Sequence, residues 1–204
     1  MNANSIKLVG ILENSTEEQT FENRGKVFHR FTLRCKRQSN VDDLIPIVIP
    51  EKLLYDVDTS LFIGKQIKVQ GNIRTRTVDV GGRYKLYVYI YVQEFLLLFE
   101  KEEDNNVVEL FGTLCRPTSL RTTPKGKQIT ELCVAVNRQG GGSDYIPCIA
   151  WGRNAVELNN KSAGYKLSLT GRFQSREYIK KYPDKEEVRV AYEISIKDYD
   201  EIES

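Results

Sequence analysis

Four cysteines, Cys35, Cys115, Cys133 and Cys148, and a single histidine, His29, are the soft metal ligands of this 204-residue chain. No two cysteines form a C-x-x-C pair, so neither a zinc site nor a disulfide framework has its usual ligands, and the thiols read as reduced packing residues. The carboxylates are equally dispersed. Metal-assisted phosphodiester cleavage needs acids converging on one phosphate with a cation aimed at it; Asp144, Glu157, Glu177 and Asp184 have no paired spacing. No metal, no other cofactor and no catalytic residue is expected. What the chain does offer is rings among cations. Tyr145 and Trp151 stand six apart in one alternating segment, which points both to the same face of a strand. Arg138, Arg153, Arg172 and Arg176 flank them in sequence.

The elements that must hold these residues come in two copies. Sliding the chain along itself aligns Asn4, Leu8 and Gly10 with Asn106, Leu110 and Gly112, Ile45-Pro46 with Ile146-Pro147, and Gly64, Gly71 and Arg76 with Gly164, Gly171 and Arg176. The acidic, polar residues 100–105 read as the linker, giving domains 1–101 and 102–204. Charge follows the same division. The formal total is only +2, yet residues 105–192 carry 14 Lys/Arg against 8 Asp/Glu, and residues 5–99 carry 14 against 11. Two basic bodies with acidic joints suit a polyanionic partner. No stretch reaches the roughly 18 apolar residues of a membrane helix, and residues 1–10 lack the pattern of a signal peptide, so a cytoplasmic, nucleoid-associated protein is expected.

Within the second copy, residues 107–114, 128–137, 145–151, 165–176 and 188–196 read as strands, with a helix over 153–160 in which Ala155, Val156 and Leu158 cover one barrel end. Gly112 suggests a bulge in a strongly curved first strand. Residues 117–127 form a basic loop, and residues 140–142 a glycine run with no fixed conformation of its own. Five strands with a helix between the third and fourth is the order of an OB-fold. The expected fold is all-β: two tandem OB-folds, five-stranded Greek-key barrels, each with one short helix.

The residues themselves resemble the bacterial single-stranded DNA-binding protein family. The opening Asn-x-apolar-x-Leu-x-Gly-x-Leu, the stretch Ala135-Val136-Asn137-Arg138, the run Trp151-Gly152-Arg153-Asn154-Ala155 and Gly171-Arg172-Phe173-Gln174-Ser175-Arg176-Glu177-Tyr178 carry the resemblance across almost all of copy two. It implies that Tyr145, Trp151 and Tyr178 stack on bases. Rings hold single strands without reading sequence, because every base has a π-face. Arg121, Lys125, Lys127, Arg138, Arg153, Arg172 and Arg176 are then the expected phosphate contacts.

Copy one departs where it matters: Leu44 replaces Tyr145, Pro50 replaces Trp151, and the neighbourhood of Val78 replaces Tyr178. It is expected to bind weakly and to serve assembly. Tyr87, Tyr89 and Tyr91 share one face of its last strand, an expected subunit interface together with Ile6 and Leu8 of the opening strand; exposed decoration or extra base stacking are the other readings of the stripe. The family commonly gathers four OB domains, so two copies per chain point to a homodimer. The leading function is sequence-tolerant single-stranded DNA binding in replication, recombination or repair, with replication or repair proteins as further partners. The alternatives are a primosome-type accessory OB protein and, in a different class, an OB-fold nuclease.

Overall fold

In a computed structural model of the chain, residues 3–14, 20–54, 59–182 and 185–202 are described. Two compact units emerge, Met1–Glu109 and Leu110–Ser204, with the division falling inside the strand Asn106–Leu114, which belongs with the second barrel. The first contains β1 (Asn4–Asn14), β2 (Thr20–Asn23), β3 (Lys26–Lys36), β4 (Asp42–Pro50), β5 (Gln66–Asp79) and β6 (Tyr84–Leu97). The second contains β7 (Asn106–Leu114), β8 (Leu120–Thr122), β9 (Gln128–Asn137), β10 (Ser143–Trp151), α1 (Gly152–Glu157), β11 (Lys166–Lys181) and β12 (Glu186–Glu201).

Each unit closes on itself. In the first, β1 pairs with both β3 and β5, and β4 with β6, so the ring runs β1-β3-β4-β6-β5 and back to β1. The second repeats it as β7-β9-β10-β12-β11. Only β4–β6 and β10–β12 are parallel among the register-defined pairs of these rings. Closure leaves a barrel interior for alternate side chains: Leu8, Leu33, Ile47, Ile73 and Ile90 in one unit, and Val108, Val134, Ile146, Phe173 and Ile194 in the other. These are two OB-folds.

The repeated glycines have a steric cause. A Cβ on Gly10 would stand 2.6 Å from the Arg34 carbonyl oxygen, and one on Gly112 would collide with that of Ala135. At Gly10, where β1 pairs with β5 without a register shift, this is close approach in a curved strand. The register shifts instead at Gln70/Gly71 and Thr170/Gly171, where a Cβ would strike the Tyr91 and Ser195 carbonyl oxygens.

Several expected elements differ. The second unit's helix is shorter than residues 153–160, and it buries Ala155 and, at its end, Leu158, while Val156 points to solvent. Hydrogen bonds from Thr130 Oγ1 to the Ala155 carbonyl (2.7 Å) and Thr118 Oγ1 to that of Leu158 (2.6 Å) fix it to the barrel. Among the described residues the first unit has no α-helix, only 3-10 turns at Glu51–Leu53 and Thr59–Phe62. The basic loop contains the short β8, paired with β9. The glycine run is a tight turn closed by Arg138 N to Gly142 O (2.9 Å), with Gly141 and Gly142 in the left-handed region at φ 89° and 79°. Much of the charged hairpin is paired strand, since β11 and β12 continue in register to Lys181 and Glu186.

Residues 100–105 do not hang between the units as a bare tether. The Gln66 side chain exchanges two hydrogen bonds with the Glu102 backbone (2.8 and 2.9 Å), and Asp104 Oδ2 accepts the Lys36 N–H at 2.6 Å. This segment is laid along the first unit.

Candidate nucleic-acid interface

Register decides which residues share a face. On β10 the even positions enter the barrel and the odd ones face out: Tyr145, Pro147, Ile149 and Trp151. Ile149 lies opposite Ser195 of β12, and Ser195 opposite Arg172 of β11, so the same outer face runs on to Gln174, Arg176 and Tyr178. The structure brings all three expected rings to this one face. Tyr145 is 52% exposed, Trp151 36% and Tyr178 38%. Trp151 is therefore no core residue; its register partner Ile129 lies beside it on the same face.

The cations are held less uniformly. Arg121, on β8 opposite Ile129, pairs with Glu131. Lys125 and Lys127 are exposed beside a turn closed by Thr123 N to Lys127 O (2.8 Å). Arg153 starts the helix with Nε 2.6 Å from Glu157; this bond raises the Arg153 pKa and lowers that of Glu157. Arg172 is half-buried. Arg176 lies over the Tyr178 ring at 5.9 Å and donates at 3.4 Å to Glu193, a buried carboxylate on the same face that also accepts from Gln174.

Arg138 is held within its own hairpin. Its Nε and Nη2 grip Asp144 at 2.9 and 2.5 Å, and Asp144 is fully buried. The same bidentate clamp joins Arg37 to Asp43 in the first unit, at 2.8 and 2.5 Å. The guanidinium closes a hairpin and neutralises a buried charge in both copies. An Arg-x5-Asp spacing repeated 101 residues apart was the available signal.

Sequence reasoning also missed Arg189. It stands opposite Tyr178, donates to Tyr182 Oη at 2.7 Å and pairs with Glu187 at 3.0 Å, which raises its pKa and lowers that of Glu187. Lys180, Lys185 and Arg189 surround the Tyr182 ring at 5.5 to 5.8 Å.

Two expectations about packing change. Cys35 and Cys148 are buried as packing residues, but Cys115 is exposed and Cys133 half-exposed on the outer face opposite Pro147. Cys115 N donates to Cys133 O at 2.9 Å, and partial burial plus a hydrogen bond with the Cys133 thiol pushes the Cys115 pKa up to about 11. In the first unit, Ile6 and Leu8 are fully buried in their own barrel and have no side chain to offer a partner, because β1 turns these alternate positions inward. Tyr87, Tyr89 and Tyr91 are half-exposed on the outer face. Of the acids weighed as catalysts, Asp144 is clamped by Arg138, Glu157 is bound to Arg153, Glu177 lies out on the β11–β12 ribbon, and Asp184 lies outside the described residues.

The model of the single-strand binding protein family matches residues 105–202. Single-stranded DNA-binding protein 1 of Staphylococcus aureus (strain COL) is 39% identical over 80 residues, 36% of this chain and 48% of that protein. Single-stranded DNA-binding protein A of Bacillus subtilis (strain 168) is 36% identical over 80 residues, 36% of this chain and 46% of that protein. The chain spans about half the length of the curated relatives it matches. In fold, it is similar to the wild-type single-stranded DNA binding protein from Thermus aquaticus, with a TM-score of 0.77 at 20% identity, covering 98% of this chain and 93% of that one. Residues 105–202, which carry the exposed rings and cations of the outer face, are the part of the chain that matches the single-strand binding protein family.

Proposed function

We propose that this protein binds single-stranded DNA without reading its sequence and without catalysis, holding unwound strands in replication, recombination or repair, with the second unit as the principal binder. One observation carries the reading: Tyr145, Trp151 and Tyr178 all lie exposed on one outer face, with Arg172 and Arg176 between and beside them. Rings of this kind contribute about 1–3 kcal/mol per stacked base, and the cations neutralise the backbone. In the same reading two chains pair and gather four OB domains, so light scattering at micromolar concentration returns the mass of two chains; a single-chain mass rejects the pairing.

The test is titration with a dT oligonucleotide, followed through the only tryptophan. Trp151 fluorescence is quenched, and Trp151→Ala weakens binding by roughly one to two powers of ten with the far-UV spectrum unchanged. Absence of a quench at low salt removes Trp151 from the track, and preference for duplex sinks the function. Incubation with Mg2+ and DNA yields no fragments; metal-dependent cleavage would restore the nuclease reading.

A further inference from the structure

Two thiols meet where the second barrel closes. The ring is completed by β7 against β9, and that seam is short, with Thr113 opposite Ala135 and Leu114 opposite Val134 in register. The corresponding seam of the first unit, β1 against β3, runs over four pairs, from Ile11 opposite Arg34 to Asn14 opposite Phe31. By the repeat, its third pair, Glu13 opposite Thr32, corresponds to Cys115 and Cys133.

The backbone places the two cysteines in the same way. Cys115 N donates to Cys133 O at 2.9 Å, which carries the β7–β9 register one residue beyond Leu114. Opposed residues of an antiparallel pair share a face with Cα atoms about 4.5–5.5 Å apart, inside the roughly 4.4–6.8 Å that a disulfide spans. The two thiols already share a hydrogen bond. Cys115 is exposed and Cys133 half-exposed, so a small reactant can reach them. The other two cysteines are shielded from it. Cys148 is buried and enters the barrel, whereas Cys133 lies on the outer face opposite Pro147, and Cys35 is buried in the first unit.

We propose that Cys115 and Cys133 form a reversible modification site, a dithiol that a small-molecule disulfide converts to an intrachain bond stapling the β7–β9 seam. One protein thiolate attacks the reagent's S–S bond, giving a mixed disulfide and releasing one small thiolate. The other protein thiolate then attacks the bonded protein sulfur and releases the second. The protein pair gives up two electrons and two protons, and the reagent leaves as two thiols. Burial and the shared hydrogen bond keep Cys115 protonated at neutral pH, so the first attack falls to Cys133 and Cys115 resolves the adduct. The bond closes a loop around residues 116–132, which carry β8 and the basic residues Arg121, Lys125 and Lys127. Such a cross-link restricts the unfolded chain and so stabilises the closed barrel. At the surface it stays open to reducing thiols, which makes it reversible.

The experiment incubates the full chain with oxidised glutathione, blocks the remaining thiols and maps peptides without reduction. A cross-linked peptide joining Cys115 to Cys133, two hydrogens lighter than its separate parts and absent after dithiothreitol, is the expected product. The urea midpoint of the oxidised chain should rise and return on reduction, and Cys133→Ser treated alike should show no such rise. A persistent glutathione adduct without a bridge, or a bridge from Cys115 to a second chain, overturns the proposal. So does a Cys115–Cys133 bridge that leaves the midpoint where it was, since the bond then does not staple the seam.

Discussion

At the scale of single residues, chemistry is set by what each group already touches. Cys115 illustrates this: the residue is exposed, but partial burial of its thiol and a hydrogen bond with Cys133 push its pKa up to about 11. The thiolate is the nucleophile, so at pH 8 only about one molecule in a thousand is reactive, against roughly a quarter for an ordinary cysteine. Iodoacetamide should therefore modify Cys115 about a hundredfold more slowly than an exposed free cysteine, with the rate rising about tenfold per pH unit up to pH 10. Mass-mapped alkylation across pH checks this, and ordinary reactivity at pH 8 would show that burial and the Cys133 contact together do not hold the proton. Which rings face outward was legible in the sequence, because period two and the family motifs both point at Tyr145 and Trp151. Which cations are occupied was not. Arg121 and Glu131 are 10 residues apart and Arg176 and Glu193 are 17 apart, and only strand register brings such partners together.

At the scale of elements, the hairpin joining β9 to β10 depends on one buried charge. Asp144 has no exposed surface, and two guanidinium hydrogen bonds are what make its burial tolerable. Asp144→Ala leaves Arg138 without its carboxylate beside the turn at residues 138–142, and the expected loss is ~3 kcal/mol, measured as a shift of the urea midpoint at constant m. Asp43→Ala should act alike in the first unit; a change below about 0.5 kcal/mol at either place would show the clamp to be dispensable. The strands, their order and the glycine framework were readable because barrel walls alternate inward and outward residues. The outer half of the β11–β12 ribbon was not. Beyond Ser175 it has no core to face: Ile179, Val188 and Val190 are as open to solvent as the residues on the opposite side, so apolar and polar positions carry no contrast. The first unit's missing helix was equally hidden, since the repeat shows that a segment recurs and not which local conformation it takes.

At the scale of the whole molecule, the segment charges visible in the sequence overstate what a DNA strand meets. Residues 105–192 carry 14 cations, but on the candidate face Arg121 is shared with Glu131, Arg176 with Glu193, and Arg138 is committed to Asp144. A phosphate must compete with a carboxylate at each such place, so fewer counterions are released than the arginine count suggests. This gives a differential prediction that does not depend on how many contacts the first unit adds. Glu131→Gln frees Arg121 and should tighten dT binding at low salt while steepening the plot of log affinity against log salt by up to ~0.7. Removing any negative charge raises general attraction, so Glu201→Gln serves as the control: its partner Lys161 lies 3.7 Å away and is not among the groups assigned to the track. Both variants change the net charge equally. If the two slopes move together, the effect is bulk charge and Arg121 is off the path of the strand; a shift confined to Glu131→Gln places a phosphate beside Arg121, next to Trp151.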